Sequence, residues 1–348
     1  MHSRFNTTGI AMDPSPSEPV IVMGASAGGV NAILELATAL PRDFPAPILF
    51  VQHIGAHPSE LWKLVSARGP NAAVTAADGD LPQPGTIYIA PPDQHMLLDG
   101  PVIRLSRGPK EHHARPAIDP LFRSAALDYG PRAIGVVLTG MLDDGSAGLR
   151  AIKDCGGTAV VQDPADAHAP SMPRSALACV AADHVVPLAA LGPLLYELAS
   201  RPAGVDGAIA ITEPFTPLRL EHAVSLGRHG MENLKAIASP SPFTCPDCGG
   251  VLFELHDQRP LRYLCHTGHA FSIRSLAYQQ EAVSDAALWT SLRVLQEKEA
   301  VLRRLAQARQ AVNPQKAQDA LREADAIADL CNAVRRLTRH APGAEGTG

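Results

Sequence analysis

The sequence has few aromatic residues, little net charge and no long apolar run. Phe, Trp and Tyr make up 4% of its 348 residues, so the core must be built from Ala, Val, Leu and Ile within a hydrophobic fraction of 46%. The formal net charge of −5 is too small to favour nonspecific binding to nucleic acid, and we expect no nucleic-acid partner. No stretch of about eighteen apolar residues occurs, so we expect no membrane insertion. A chain of this length can hold two domains.

Cysteine is also scarce, and its placement argues against a disulfide framework. Of the six cysteines, Cys245, Cys248 and Cys265 lie close together in the sequence, and the other three stand singly. This pattern is typical of a cytosolic protein with one metal site. Residues 1–18 are polar, contain Pro and Ser and have no apolar segment, which indicates a disordered leader rather than a secretion signal. We therefore expect a cytoplasmic protein.

From Pro19 to about Ser200, short apolar runs alternate with stretches of helical spacing. Such alternation predicts an α/β fold, with a doubly wound and mainly parallel sheet of about seven strands and helices on both faces. The Asp99-Gly100 pair predicts an antiparallel hairpin between Met96 and Leu105.

The rest of the chain divides into three segments by composition. Residues 201–242 predict a linker that can carry a short helix, residues 243–271 a cysteine-containing module, and residues 272–340 a helical hairpin. In the last segment, leucines recur on one helical stripe before and after Asn313-Pro314. A proline at that position separates two helices, which can then pack against each other.

The stretch from Ile21 to Gly29 organises the first domain. An apolar run ends at Gly24, Ser26 follows, and the residues from Val30 onward have helical spacing. A strand, a small-residue turn and a helix place a side chain at the carboxyl edge of a parallel sheet. They also leave backbone N–H groups of the turn unpaired. Two interpretations fit this stretch alone: a turn that carries a nucleophilic serine, or a glycine loop that binds a phosphate.

Ser26, His53 and Asp144 each lie just past the end of a predicted strand. Groups in such positions gather at one edge of an open α/β sheet. A serine nucleophile needs a base to take its proton and a carboxylate to orient that base, and these side chains supply both. Spacing alone does not separate Asp143 from Asp144. His53 can instead cap a strand end and Asp144 a helix, but three suitable residue types at three strand ends favour a catalytic site.

Six motifs occur in order along the first domain. They are Gly24-Ala25-Ser26-Ala27-Gly28-Gly29, Val51-Gln52-His53, Tyr88-Ile89-Ala90-Pro91-Pro92-Asp93-Gln94-His95, Arg115-Pro116-Ala117-Ile118-Asp119-Pro120-Leu121-Phe122, Leu138-Thr139-Gly140-Met141-Leu142-Asp143-Asp144-Gly145 and Met172-Pro173. Together they resemble the catalytic domain of the chemotaxis protein-glutamate methylesterase (CheB-type) family, over roughly Pro19 to Ala199.

The resemblance implies hydrolysis of glutamyl methyl esters on the cytoplasmic domain of methyl-accepting chemotaxis receptors, with release of methanol, and deamidation of glutamine there. It implies Ser26 as the nucleophile, His53 as its base and Asp144, immediately before the glycine, as the orienting carboxylate. Backbone N–H groups of Met141 and Ala27 would bind the oxyanion, and catalysis needs no cofactor. A receptor methyltransferase is a further expected partner. The residues implied for substrate binding are Arg115, His95 and Met172.

The chain departs from the family pattern in three ways. Ala27 replaces the threonine that often follows the nucleophile, which removes a hydroxyl that could steady His53. Leu142-Asp143 replaces the more usual Gly-x in the aspartate loop. The residues before Pro19 cannot hold the receiver domain that many family members carry, so we expect no control by a receiver within this chain. An alternative is a catalytically weak regulatory or scaffold protein of a chemosensory pathway, whereas a nucleotide-binding domain is disfavoured because the glycine loop has no Walker-type lysine.

The cysteine-containing module has the ligand spacing of a zinc site. Cys245 and Cys248 form a C-x₂-C knuckle with glycines behind it, and Cys265 and His269 form a C-x₃-H pair. Four such ligands suit a tetrahedral structural Zn²⁺ ion in a zinc-ribbon-like module. His266 is disfavoured because adjacent residues rarely reach one metal together, and the alternative to zinc is a reduced thiol cluster or a redox pair. The segment resembles an extension seen after some methylesterase domains. A small zinc-ribbon-like module followed by a helical hairpin suggests that the extension docks to a partner or covers the catalytic cleft.

Overall fold

A computed structural model describes residues 18–201, 216–225, 231–257 and 259–338. The predicted leader, apart from Glu18, residues 202–215 and 226–230 of the predicted linker, and residues 339–340 of the predicted helical hairpin lie outside the described residues. The chain forms two compact units, one that ends at Leu276 and one that begins at Ala277.

The first unit is built on a parallel sheet. Its strands before residue 201 are β1 (Val20–Ala25), β2 (Ile48–Gln52), β3 (Ala72–Thr75), β4 (Thr86–Ile89), β5 (His95–Asp99), β6 (Val102–Ser106), β7 (Ala133–Val137), β8 (Thr158–Gln162) and β9 (His184–Val186). Seven of them form one sheet in the order β3-β4-β2-β1-β7-β8-β9, in which every neighbouring pair is parallel. β5 and β6 form a separate antiparallel hairpin. The predicted α/β fold with about seven strands and a hairpin is confirmed. The sequence analysis does not predict β3, because this short edge strand is only partly buried and has no apolar run.

Helices cover both faces of the sheet. They are α1 (Gly29–Ala39), α2 (Leu61–Arg68), α3 (Ile118–Tyr129), α4 (Ser146–Asp154), α5 (Ser171–Cys179) and α6 (Leu188–Ser200). Alternate side chains of a strand point to opposite faces. In β1, Val20 and Val22 therefore join the core under α3, α4 and α5, whereas Ile21 and Met23 join the core under α1, α2 and α6. Burial on both faces explains why the central strands have continuous apolar runs.

The cysteine-containing module belongs to the same unit. The segment expected to be a linker with one short helix contains α7 (Thr216–Ser225), α8 (Met231–Ile237) and most of β10 (Ala238–Thr244). Together with β11 (Val251–Leu255), β12 (Arg262–Cys265) and β13 (Ala270–Ser272), β10 forms one antiparallel sheet in the order β10-β11-β12-β13.

Two long helices end the described chain. They are α9 (Ile273–Arg309) and α10 (Pro314–Thr338), so the predicted break at Pro314 is confirmed. In the second unit, Leu292, Ile327 and Cys331 form a small buried cluster between the two helices. Within the described ranges, no helix combines the length and the apolar composition that crossing a bilayer requires.

Candidate active site

Three neighbouring strands carry the predicted catalytic residues to one edge of the sheet. Ser26 directly follows β1, His53 directly follows β2, and Asp144 lies in the loop between β7 and α4. The three strands are adjacent in the order β2-β1-β7. The backbone N–H of Ser26 donates to Thr139 O at 2.9 Å, and that of His53 donates to Ala25 O at 3.1 Å. The chain thus places the serine between the histidine strand and the aspartate loop.

His53 and Asp144 are in direct contact. His53 Nε2 lies 2.7 Å from Asp144 Oδ2, and the Asp144 side chain is only 3% exposed. The same oxygen accepts a hydrogen bond from the backbone N–H of Ile118 at 2.7 Å. The other oxygen accepts from the N–H groups of Asp119 at 3.0 Å and Gly145 at 2.8 Å. The carboxylate is therefore fixed by the start of α3 and the start of α4, and its contact with Nε2 leaves Nδ1 of His53 for another partner.

The environment keeps Asp144 ionised. Burial alone would raise the pKa of Asp144, but the charge of His112 and the hydrogen bond from His53 hold it well below its usual value. Asp143, the alternative that spacing left open, instead accepts a hydrogen bond from Ser272 Oγ at 2.7 Å. Burial raises the pKa of Asp143. The structure therefore places Asp144, and not Asp143, against the imidazole.

Ser26 is half-buried at the turn after β1. An added methyl group on Gly140 would lie 3.0 Å from Ser26 Cβ, so the serine packs closely against the aspartate loop. Within the described part of the chain, no hydrogen bond joins Ser26 Oγ to the His53 ring. His53 and Asp144 are thus in contact, and Ser26 lies at the end of the adjacent strand. Hydrogen bonds to a nucleophile are often long before substrate binds.

The two predicted oxyanion donors lie on exposed turns at this edge. Among the described residues, the backbone N–H groups of Ala27 and Met141 donate to no protein acceptor, so both are available to a ligand. Thr139 Oγ1 ties the two turns together by donating to Ala27 O at 2.8 Å. Leu142 has a φ of +61°, in the left-handed region that glycine favours. Leu142, which departs from the family pattern, therefore has a backbone conformation that a glycine at this position would readily adopt.

Two of the predicted substrate-binding residues, Met172 and His95, lie in the interior. Met172 is fully buried and packs against Gly140, where an added methyl group would meet its side chain at 2.6 Å. His95 is 1% exposed, accepts a hydrogen bond from the backbone N–H of Ala117 and contacts Pro109 O at 2.9 Å. Burial lowers the pKa of His95. Both side chains hold neighbouring loops in place and are too buried to contact a protein substrate.

Arg115 is nearer the surface, but its guanidinium group is already engaged. Its Nε and Nη2 donate to Asp93 Oδ1 at 3.0 and 2.6 Å, and its Nη1 donates to the carbonyl oxygens of Arg107 and Gly108. The hydrogen bond from Arg115 lowers the pKa of Asp93. Arg115 therefore shapes the loop before α3, and no free guanidinium is held out toward an acidic helix.

Sequence reasoning missed Gln52, the last residue of β2. Its Nε2 donates to Ser26 O at 2.8 Å and to His53 O at 3.2 Å, so one side chain ties together the two turns that carry Ser26 and His53. A side chain at Gly29 would collide with Gln52 Oε1 at 2.1 Å, which explains the glycine there. The signal in the sequence was a buried polar residue at the end of an apolar strand, directly before His53.

Sequence reasoning also missed His112, a second imidazole beside Asp144. Its Nε2 lies 3.0 Å from Asp119 Oδ2 and 3.7 Å from Asp144 Oδ1, and the side chain is 5% exposed. Burial opposes a charge on this ring, but the carboxylates of Asp144 and Asp119 outweigh it and raise the pKa of His112 to about 10. A charged imidazolium thus lies between two buried carboxylates.

His112 lies in a strained turn, Glu111–Ala114, which we call the histidine turn. Glu111 and Ala114 exchange backbone hydrogen bonds across it, and the two residues between them, His112 and His113, have φ of +50° and +61°. Such conformations cost non-glycine residues of order 1–3 kcal/mol each, and they persist only where neighbouring groups hold them. No local pattern of apolar residues marks this turn, which explains why it was missed.

The predicted metal ligands also come together. The ligand atoms of Cys245, Cys248, Cys265 and His269 all lie within 4.8 Å of one another. His266 is exposed, and its ring lies close to Gly250. Cys245 and Cys248 lie between β10 and β11, Cys265 is the last residue of β12, and His269 directly precedes β13.

The fold and this edge define a class of protein. A doubly wound parallel sheet carries a serine turn, a histidine and a buried carboxylate at the carboxyl ends of adjacent strands, which is an arrangement of serine-dependent hydrolases. The family model for CheB methylesterase matches residues 21–195. This chain belongs to the CheB methylesterase family, a family of carboxylic ester hydrolases. The match ends before the cysteine-containing module.

Individual relatives agree with this assignment. A protein of Leptospira interrogans is 39% identical over 180 residues, which cover 51% of this chain and 93% of the relative. The protein-glutamate methylesterase FrzG of Myxococcus xanthus is 39% identical over 187 residues, which cover 53% of this chain and 56% of the relative. The crystal structure of the Thermotoga maritima CheB methylesterase catalytic domain aligns with this chain with a TM-score of 0.51 at 32% identity. The aligned region covers 53% of this chain and 100% of the Thermotoga chain.

Proposed function

We propose that this chain is a serine-dependent protein-glutamate methylesterase that hydrolyses glutamyl methyl esters on methyl-accepting chemotaxis receptors and also deamidates glutamine there. The observation that carries the proposal is the 2.7 Å contact between His53 and the buried Asp144, beside the Ser26 turn of a CheB family member. Names of related proteins point the same way: a relative from Anaeromyxobacter dehalogenans, 42% identical over 180 residues, is called a protein-glutamate methylesterase/protein-glutamine glutaminase.

The first half-reaction transfers the glutamyl group to the enzyme. His53 Nδ1 takes the proton of the Ser26 hydroxyl as Oγ attacks the ester carbonyl, and Asp144 stabilises the imidazolium that forms. The carbonyl oxygen becomes an oxyanion, which the N–H groups of Ala27 and Met141 bind. Losing one such donor typically costs 10²–10³-fold in rate. The intermediate then collapses, the ester C–O bond breaks, and methanol leaves with the proton that His53 returns.

The second half-reaction restores the enzyme. A water molecule attacks the glutamyl ester of Ser26 as His53 takes its proton, and the bond to Ser26 Oγ then breaks as that proton returns to the serine. The products are the receptor glutamate and free enzyme. With glutamine as the substrate, ammonia leaves in place of methanol by the same steps. Catalysis by this route uses no metal or cofactor, and Gln52 contributes by fixing the carbonyl groups of Ser26 and His53.

The partner in this proposal is the cytoplasmic region of a methyl-accepting receptor, and the reaction takes place in the cytoplasm. A receptor methyltransferase would act on the same glutamates and supply the ester. Because the guanidinium of Arg115 is engaged within the chain, recognition of the receptor depends on other groups near the exposed turns at Ala27 and Met141.

Methanol release from a methylated receptor fragment tests the proposal. The full-length protein is mixed with a fragment that carries isotopically labelled methyl esters, and volatile label is measured together with the masses of the receptor peptides. We expect release by the wild type and by His57→Ala, which changes an exposed histidine four residues after His53, and a loss of at least 10³-fold in His53→Ala. Receptor binding without release would instead support the regulatory or scaffold alternative and overturn the esterase proposal.

A further inference from the structure

Two separations among the four predicted metal ligands match the edges of a tetrahedral zinc site, and all four ligand atoms lie within 4.8 Å of one another. Cys248 Sγ lies 3.7 Å from Cys265 Sγ, and Cys265 Sγ lies 3.5 Å from His269 Nδ1. Zinc bonds of about 2.3 Å to sulfur and about 2.0–2.1 Å to nitrogen give tetrahedron edges of about 3.8 Å and about 3.6 Å. A disulfide would need the two sulfur atoms at about 2.05 Å. The two sulfur atoms are therefore not joined in a disulfide, and their separation suits two thiolates that share one metal ion.

Two backbone turns hold the ligands in this arrangement. In the first turn, the N–H of Cys245 donates to Gly250 O at 2.7 Å, and Gly249 has a φ of +72°. In the second, the N–H of Cys265 donates to His269 O at 2.9 Å, and Gly268 has a φ of +95°. Each turn presents two ligands, and glycine meets the left-handed position that each turn requires. Three soft sulfur ligands and one imidazole favour zinc among common divalent cations.

Both ligand turns touch the histidine turn beside the candidate active site. Asp247, between the first two ligands, lies 2.8 Å from His113 Nδ1. Ala270, directly after the last ligand, accepts a hydrogen bond from the backbone N–H of His112 at 2.8 Å. Ser275 Oγ lies 3.1 Å from His112 Nδ1. Asp247 and Ala270, which are neighbours of the ligands in the sequence, therefore contact the strained histidine turn. The imidazole ring of His112 in this turn lies 3.7 Å from Asp144 Oδ1.

We propose that Cys245, Cys248, Cys265 and His269 bind one Zn²⁺ ion, and that this ion, by fixing the two ligand turns, holds His112 against Asp144 and so positions that carboxylate for His53. The metal site stands independently of the esterase proposal, whereas its effect on turnover rests on that proposal. His112 acts as a positioning residue, since it touches Asp144 and no reacting atom.

Metal content tests the zinc site directly. We expect about one equivalent of zinc in full-length protein purified without chelators, and visible absorption typical of tetrahedral thiolate coordination when Co²⁺ replaces it. His269→Ala should lose at least tenfold in zinc affinity, His269→Cys should retain the ion, and His266→Ala, the matched control, should retain it as well. Less than about half an equivalent in folded wild type, or undiminished zinc affinity in His269→Ala, would overturn the site.

The link to the active site needs a variant that keeps the ion. We expect His113→Ala to retain one zinc ion. Hydrogen exchange at the backbone N–H groups of Ile118 and Gly145, both of which donate hydrogen bonds to the Asp144 carboxylate, should become at least tenfold faster. The substitution should lower kcat on a methylated receptor by about tenfold with little change in KM. Zinc retained with unchanged exchange would overturn the positioning role. If the wild type releases no methanol, the esterase proposal fails, while zinc content and hydrogen exchange still decide this one.

Discussion

Replacing Asp144 by asparagine tests the paired imidazole and carboxylate with almost no change in shape. Both carboxylate oxygens accept hydrogen bonds, one from His53 and Ile118 and the other from Asp119 and Gly145. In either orientation, the new NH₂ group must face backbone N–H donors. A buried donor left unpaired costs about 1–3 kcal/mol, so we expect the free energy of unfolding to fall by at least that amount.

The loss of activity should be larger than the loss of stability. A neutral amide at residue 144 cannot stabilise the His53 imidazolium and favours the wrong tautomer. The same change in a Ser-His-Asp protease lowers kcat by about 10⁴, which corresponds to about 5.5 kcal/mol. The assay is methanol release at saturating methylated receptor, with urea unfolding to confirm that the variant is folded under assay conditions.

Asp143→Asn is the matched control for this experiment. Asp143 accepts a hydrogen bond from Ser272, which an asparagine oxygen can also accept, so we expect activity within tenfold of wild type. The reasoning would be refuted by folded Asp144→Asn protein with more than a tenth of the wild-type kcat, or by an equal loss in both variants.

Three further changes probe the surroundings of the site. Gly140→Ala would push the Met172 side chain, 2.6 Å from the added methyl group, and Ser26 Cβ, 3.0 Å from it, so methanol release should fall at least tenfold in protein whose circular dichroism is unchanged. Asp128→Asn should stabilise the fold by on the order of 1–3 kcal/mol at pH 8, because burial raises the pKa of Asp128 to about 7 and ionisation of this carboxyl above about pH 4 therefore opposes folding. Urea unfolding of variant and wild type at a series of pH values should show the gain in stability growing from pH 4 to pH 7 and then becoming constant. The pKa of His112 is raised to about 10, so its charge stabilises the fold fully below about pH 6.5, and this contribution is lost as pH rises toward 10. The difference in unfolding free energy between wild type and His112→Gln should therefore shrink over that pH range. A constant difference would show that His112 is not charged in the folded protein.

The alternation of apolar runs and helical stretches was enough to predict the parallel sheet and the edge that carries Ser26, His53 and Asp144. Parallel strands buried on both faces have a strong apolar signal, whereas the half-exposed edge strand β3 has none. The choice between Asp143 and Asp144 depends on which way each side chain points from a loop, and spacing does not contain that information.

For several residues, the surroundings are set by tertiary contacts that the sequence does not reveal. Arg115, His95 and Met172 come from motifs near the site, but burial and internal hydrogen bonds decide whether a side chain is available, and these appear only in the folded chain. His112 pairs with Asp119 and Asp144 and with groups more than 150 residues away, such as Ser275, so no local periodicity could reveal it. The four predicted metal ligands could be grouped from the sequence because each pair is close in sequence.

The identity of the nucleophile is the central claim, and methanol release by Ser26→Ala tests it most directly. The variant is compared on the same methylated receptor fragment with wild type and with Ser59→Ala, which changes a serine six residues after His53 that the mechanism does not use. Thermal unfolding first establishes that all three proteins are equally folded under the assay conditions. We expect Ser59→Ala to release methanol at the wild-type rate and Ser26→Ala to lose at least 10³-fold. Release by folded Ser26→Ala within tenfold of wild type would contradict the account.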